Sequence, residues 1–210
     1  MNALIFALNC KIPEELERSK QIPWEITKVR LTKKLIDEYG LVEELSEWAI
    51  EAWVEAIKTQ SAKINFEKAI SFFYRGKENF KKGFYDKAFE DFTLAIQDFI
   101  KAIEIDPELA EKINPKLAAA YYNRGDDCFW EEDYDQAIQD YTKAIEIDPK
   151  LAEKINPKLA EAYYLRGNAY YNKALYDQAI QDYTKAIEIN PKDALFYYNR
   201  GIAYQNKKLY

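Results

Sequence analysis

Five carboxylates near the middle of the chain, Asp126-Asp127 and Glu131-Glu132-Asp133, are the residues best spaced for chemistry. Acids so arranged suit two tasks: holding a divalent cation, or passing a proton between an acid and a base. Neither task finds support elsewhere. The 210 residues contain no His, which removes Cys/His zinc sites, Ser-His-Asp triads and imidazole acid/base work. No nucleophile elbow, glycine-rich phosphate loop or cluster of metal ligands accompanies the acids. A solvated helix face and its turn account for them, so the expectation is no enzyme, no cofactor and no metal, with a carboxylate-pair enzyme as the opposing class.

Composition narrows the partners. Lys and Arg number 30 against 36 Asp and Glu, a net charge of -6, which lacks the basic stripe a nucleic acid backbone requires. Cys10 and Cys128 are too few for a disulfide framework and suit a reducing cytoplasm. The apolar start from Ala3 to Leu8 is too short to span a bilayer and lacks the basic leader of a secretion signal, so no membrane role is expected.

The elements that must position these residues emerge from internal comparison. Ser71-Phe-Phe-Tyr-Arg-Gly76, Ala120-Tyr-Tyr-Asn-Arg-Gly125, Ala162-Tyr-Tyr-Leu-Arg-Gly167 and Phe196-Tyr-Tyr-Asn-Arg-Gly201 match, their glycines 49, 42 and 34 residues apart. Gly125 to Pro149 and Gly167 to Pro191 both cover 24 residues, so the hairpin is constant and the connector varies. Pro149-Lys-Leu-Ala-Glu-Lys-Ile-Asn-Pro157 adds eight residues, and Pro107 to Pro115 repeats it. The insert reads as an extra helical turn or two, with Asp106 and Asp148 as caps and the prolines at first helical positions. The widest spacing carries a further heptad, Ala88 to Leu94 echoed as Ala95 to Lys101, which predicts one helix from Tyr85 to Ile105, about 30 Å long. Tyr163, Gly167 and Tyr170 share one face, and Tyr176, Ala179, Tyr183 and Ala186 another. Neither helix buries its stripe alone, so stacking must supply the core.

These residues resemble the tetratricopeptide repeat family: aromatic, x-x-x-Gly, aromatic, then Ala, aromatic, Ala, Pro. The resemblance covers residues 66–210. It implies an all-α fold, a right-handed superhelical solenoid with three complete hairpins and a final unpaired helix, and a concave groove that binds a peptide or protein. On that architecture the groove takes Phe73, Lys77 and Phe80, then Tyr122, Asp126 and Phe129, then Tyr164, Asn168 and Tyr171, and lastly Tyr198 and Gln205. Rigid tyrosines bury area at low entropic cost, which suits an extended or helical segment, unless some of them pack against a further helix. A subgroup of the family grips the C-terminal tails of chaperones. Where its pattern needs two lysines, two asparagines and an arginine, this chain has Phe73, Lys77, Asn123, Glu161 and Leu165, so such a tail is not the expected partner.

Arg75, Arg124, Arg166 and Arg200 stand where the family more often has leucine. They read either as structural bonds to Asp140 and Asp182, with Asp91 or Asp98 in the stretched repeat and no acid for Arg200, or as a ladder of exposed guanidiniums. Asn79 and Cys128 occupy the places of Tyr170 and Tyr204. The last hairpin stops at Tyr210, leaving Tyr197, Ala203, Tyr204 and Tyr210 without a covering helix. That face is an alternative site, for self-association.

Residues 1–60 show no repeat. Ile12-Pro13-Glu14-Glu15 and Ile22-Pro23-Trp24-Glu25 read as helix starts, Gly40 ends a helix at Tyr39, and Leu45, Trp48, Ala49, Ala52, Trp53, Ala56 and Ile57 form the stripe of another. The expected product is a small helical bundle around Trp48 and Trp53. Residues 31–57 also resemble a helical accessory segment of multidomain bacterial proteins, which implies a bacterial source.

Overall fold

A computed structural model describes residues 24–208, all of whose regular elements are helical. The chain divides into two compact units at Lys63 and Ile64. In the first, α1 (Trp24–Tyr39) ends at Gly40, whose φ of 67° is the left-handed conformation that glycine adopts without steric cost. Helix α2 (Glu43–Lys81) follows. Leu31 and Leu35 of α1 and Ala49 and Ile50 of α2 form the core, with Leu41, Trp53 and Val54 around it. Lys28 reaches Glu51 at 2.8 Å across the same pair.

Two expectations for this unit change. Trp48 is 55% exposed, because Ala49 and Ile50 take the inward positions beside it, so only Trp53 joins the core. The second helix is not one of the short helices of a small bundle but runs to Lys81, since no Gly or Pro occurs between Gly40 and Gly76 to break it. Cys10, the apolar start and the Pro13 and Pro23 helix starts lie outside the described residues.

The second unit consists of hairpins in series. The last part of α2 pairs with α3 (Tyr85–Ile105), α4 (Ala110–Trp130) with α5 (Tyr134–Ile147), and α6 (Ala152–Asn172) with α7 (Tyr176–Ile189); α8 (Ala194–Lys207) packs on α7. The doubled heptad makes α3 longer by seven residues than α5 and α7, at the predicted bounds. It adds a second aromatic layer in register: Phe92 and Phe99 are both fully buried, as are Ala88, Ala95 and Ala102.

Each eight-residue insert lengthens a first helix at its start. The Asp106 and Asp148 carboxylates accept from the backbone N–H groups of Glu108 and Lys150, opening short 3-10 turns at Pro107–Leu109 and Pro149–Leu151. Ile113 and Leu117 of one insert helix, and Ile155 and Leu159 of the other, are buried against the preceding hairpin. Pro115 and Pro157 depart from expectation, lying inside α4 and α6 rather than at a helix start. Both are exposed, so the carbonyls their missing N–H groups would have met, on Glu111 and Glu153, can turn to water.

Candidate functional site

The geometry of every hairpin begins at its glycine. A Cβ built on Gly76, Gly125 or Gly167 would meet the ring of Phe92, Tyr141 or Tyr183 at 2.9, 2.9 and 2.8 Å. Only a hydrogen at that position lets the ring lie across the neighbouring backbone. Burial raises the pKa of both tyrosines, that of Tyr183 to about 12, so they are neutral donors. The Tyr141 hydroxyl donates to Asp126 and the Tyr183 hydroxyl to Asn168, each at 2.8 Å. Phe92 has no hydroxyl, and the matching residue there is Lys77.

Arginine precedes each glycine and ties helices together. Arg75 binds Asp91 rather than Asp98; Arg124 binds both Asp140 oxygens at 2.7 and 2.8 Å; Arg166 binds both Asp182 oxygens at 2.7 Å. All three aspartates are buried. Two of these guanidiniums also reach back to the preceding hairpin, Arg124 donating to Thr93 at 3.1 Å and Arg166 to Asp135 at 2.6 Å, and Arg200 of the last helix donates to Thr184 at 3.3 Å. The arginines are therefore fasteners of the stack, which settles the choice between a structural bond and an exposed ladder.

Three of the aromatic positions named from the sequence, Tyr122, Tyr164 and Tyr171, stand in two polar clusters. In the first, Lys158 donates to both Asp126 oxygens at 2.7 Å and to the Tyr122 hydroxyl at 3.0 Å. Burial opposes the Lys158 charge, but the Asp126 and Tyr122 hydrogen bonds outweigh it and raise the pKa. Lys154 and Lys158 stand over the Tyr122 ring at 4.2 and 5.1 Å. In the second, Tyr164 packs on Phe196 at 5.1 Å and accepts from Asn199, while Tyr171 accepts from Asn206. Phe80, Phe129 and Tyr171 each meet a tyrosine of the next helix edge-on, at 5.5, 5.9 and 5.6 Å.

Phe73 is a core side chain, 7% exposed against Phe92, with the exposed Lys77 over its ring. Asp126 is likewise buried, its oxygens held by Tyr141 and Lys158. Tyr198 is 66% exposed, and Gln205 is exposed. Lys154 and Lys158 were missed in the sequence, although Lys112 and Lys116 repeat their spacing in the earlier insert.

On the last helix, Tyr197 and Tyr204 are 44% and 48% exposed. Ala203 is not part of an uncovered face: it is fully buried with Ala179, Ile180 and Tyr183, because α7 already occupies that side. Tyr210 lies outside the described residues.

The acids divide. Asp127 is 1% exposed and neither carboxylate oxygen has a hydrogen-bond partner. Burial, then Glu131, Asp86 and Asp126, push its pKa up to about 7. Cys128 is buried and its thiol is pushed up to about 12, chiefly by that burial and the Asp140 charge, so it is not a thiolate nucleophile. Among the described residues no three Cys, Asp or Glu side chains stand close enough to hold a metal ion, and no helix is long and apolar enough to cross a membrane.

One tetratricopeptide repeat family model matches residues 118–151 and 160–193, and a second matches residues 182–210. No curated protein gives a significant match. Among solved structures the chain is similar to the second TPR domain of human RPAP3, in complex with an HSP70 peptide, at 23% identity over 67% of this chain and 98% of that one, with a TM-score of 0.35. It is similar to the Arabidopsis OM64 TPR domain at 23% identity over 67% and 98%, with a TM-score of 0.32. The N-terminal domain of stress-induced protein-1 from C. elegans shares 20% identity over 70% and 97%, with a TM-score of 0.33. The matched segments take in the second and third hairpins and the last helix, and these are tetratricopeptide repeats.

Proposed function

We propose that this chain is a scaffold that binds a peptide or protein segment along the face where first-helix tyrosines meet the insert lysines. One observation carries the reading: Tyr122 is half-buried beneath two ammonium groups, and Tyr164, Tyr171 and Tyr198 follow in the next hairpins. Such rings each contribute roughly 1 to 3 kcal/mol when covered, so two or three anchors give about micromolar affinity after association costs. The exposed Lys77 and Lys154 favour a segment carrying carboxylates.

The RPAP3 domain named above is in complex with an HSP70 peptide. Here Phe73, Glu161 and Leu165 replace the basic residues of the tail-gripping pattern, and Asn123 bonds to the Ala119 carbonyl of its own helix. The partner is therefore read as something other than a chaperone terminus. Residues 1–60 are read as a separate helical module and residues 66–210 as the array. The two cysteines, too few for a disulfide framework, favour a reducing compartment such as the cytoplasm.

A second reading, self-association through α8, is favoured by Gly201. A Cβ there would meet nothing within 4 Å, whereas the three earlier glycines each face a ring. Sedimentation equilibrium over a concentration series tests this reading, and a monomer at every concentration refutes it. For the groove, proteins captured from cell lysate by wild type and by Tyr122→Ala/Tyr164→Ala are compared after melts verify folding. Partners lost from the folded variant support the groove; an identical set overturns it.

A further inference from the structure

One interface of the stack lacks a cation that the others have. Each hairpin opens its second helix with Tyr-Asp: Tyr85-Asp86, Tyr134-Asp135 and Tyr176-Asp177. Arg166 of the following hairpin pairs with Asp135 at 2.6 Å, and Lys207 of the last helix pairs with Asp177. Asp86 has no such partner. Six residues after the glycine, where Lys82, Lys173 and Lys207 stand in their copies, the second copy has Glu131. Among the described residues, no ion pair or side-chain hydrogen bond engages Asp86, Glu90 or Glu131.

Around these acids is an open cleft of about 530 Å³ whose walls include Tyr85, Asp86, Phe89, Glu90, Asp127 and Glu131. Tyr85 and Phe89 are 37% and 38% exposed, leaving aromatic surface beside the charges. Arg124 stands over Phe89 at 5.6 Å, but its charge is paired with Asp140; Lys87 lines the adjoining hollow and lies over Phe84. The second, independent sign is Asp127, buried in the wall with both oxygens unpartnered. In the first copy its place is held by Glu78, exposed and paired with Lys82, and in the later copies by Ala169 and Ala203, so the fold does not call for a buried acid there. A buried unpaired carboxylate is costly, and it is balanced when a cation sits nearby.

We propose that the cleft between α3 and the end of α4 binds the basic side chain, by preference arginine, of a partner polypeptide, which takes the place that Arg166 and Lys207 fill at the later interfaces. Arginine is favoured because a guanidinium can lie on an aromatic ring and still bond to carboxylates at its edge. A metal ion is disfavoured because the acids ring the opening without converging on one point. This site is distinct from the tyrosine face above and stands whether or not that face binds.

The test uses the full chain and the end-blocked peptide Gly-Gly-Arg-Gly-Gly, with citrulline, the neutral isostere of arginine, as the control. Backbone amide shifts report the site. Amides of residues 85–90 and 127–131 should move with the arginine peptide, and the citrulline peptide should bind at least about tenfold more weakly. Glu131→Lys installs the lysine that the other copies carry, so it should fold, raise the melting midpoint at pH 8 and abolish binding. Asp86→Asn should weaken binding about fivefold. Equal binding of the citrulline peptide, undiminished binding by Glu131→Lys, or saturation of the same amides by calcium chloride at lower concentration than the peptide would each overturn the proposal.

Discussion

Gly167 lies so close to Tyr183 that a Cβ on the glycine would stand 2.8 Å from the ring. Tyr183 is 1% exposed and its hydroxyl is held by Asn168, so the ring has little room to retreat. Gly167→Ala is expected to cost about 1 to 3 kcal/mol through overpacking. Gly201→Ala meets open space and should stabilise by roughly 0.5 to 1 kcal/mol through helix propensity alone. Urea denaturation of both variants measures the contrast, and equal signs would contradict the packing.

Arg124 and Asp140 form the most enclosed of the arginine pairs, with side chains 13% and 2% exposed. Arg124→Ala leaves the Asp140 charge buried with only the Gln136 amide against it, and should cost roughly 3 to 5 kcal/mol. Arg75, whose side chain is 59% exposed against Asp91, should cost visibly less. A double-mutant cycle with Asp140→Asn separates the pair from the stranded charge.

Two residues hold a glycine conformation without being glycine. Glu132 and Ala174 have φ values of 62° and 59°, at the turn where the first hairpin uses Gly83 at 76°. The next N–H in each turn bonds back five residues, Asp133 to Cys128 and Leu175 to Tyr170, both at 2.9 Å. Ala174→Gly should therefore raise stability by about 0.5 to 1 kcal/mol, the relief of left-handed strain exceeding the entropy lost. Thermal melts decide it, and a lower midpoint would speak against strain at the turn.

Asp127 makes stability fall with pH. Its folded pKa of about 7 lies above the unfolded value near 4, so the folded state binds more protons between them. The contribution is complete below about pH 4 and is lost as pH rises through about 7. Asp127→Asn, neutral throughout, should match wild type near pH 4 and exceed it by roughly 2 to 4 kcal/mol at pH 8. Denaturant titrations at the two pH values test this, and parallel curves would show that Asp127 is not the source.

The repeat, the doubled heptad and the capped inserts were legible because each recurs: a pattern stated twice in one chain gives its own alignment. The bounds of α3 followed from the echoed heptad alone. The site was legible in part. Tyr122, Tyr164 and Tyr171 of the candidate site were named from their spacing to glycine, yet the same spacing named Phe73, which Phe92 holds in the core; Ala203, named because no second helix follows it, is covered by α7. Spacing along one helix does not say which neighbour lies opposite. Lys154 and Lys158 escaped because the inserts read as connectors, and only the stacking of α6 on α4 carries them over Tyr122. Glu131 and Asp127 read as a solvated turn, and their unpaired state shows only against Lys207 and Ala169 in the other copies.

The joints between hairpins are alike in position and unlike in chemistry. Arg124 meets a threonine hydroxyl, Arg166 a carboxylate, and Arg200 a second hydroxyl. In a linear stack, cooperativity is the product of nearest-neighbour couplings, so unequal couplings give an unequal order of opening. Added salt weakens the joints that carry the Arg166–Asp135 and Lys207–Asp177 ion pairs and leaves the Arg124–Thr93 contact nearly untouched. Ionic strength would thus choose where the array first comes apart, and partners that hold neighbouring hairpins together would be felt most strongly at those two seams.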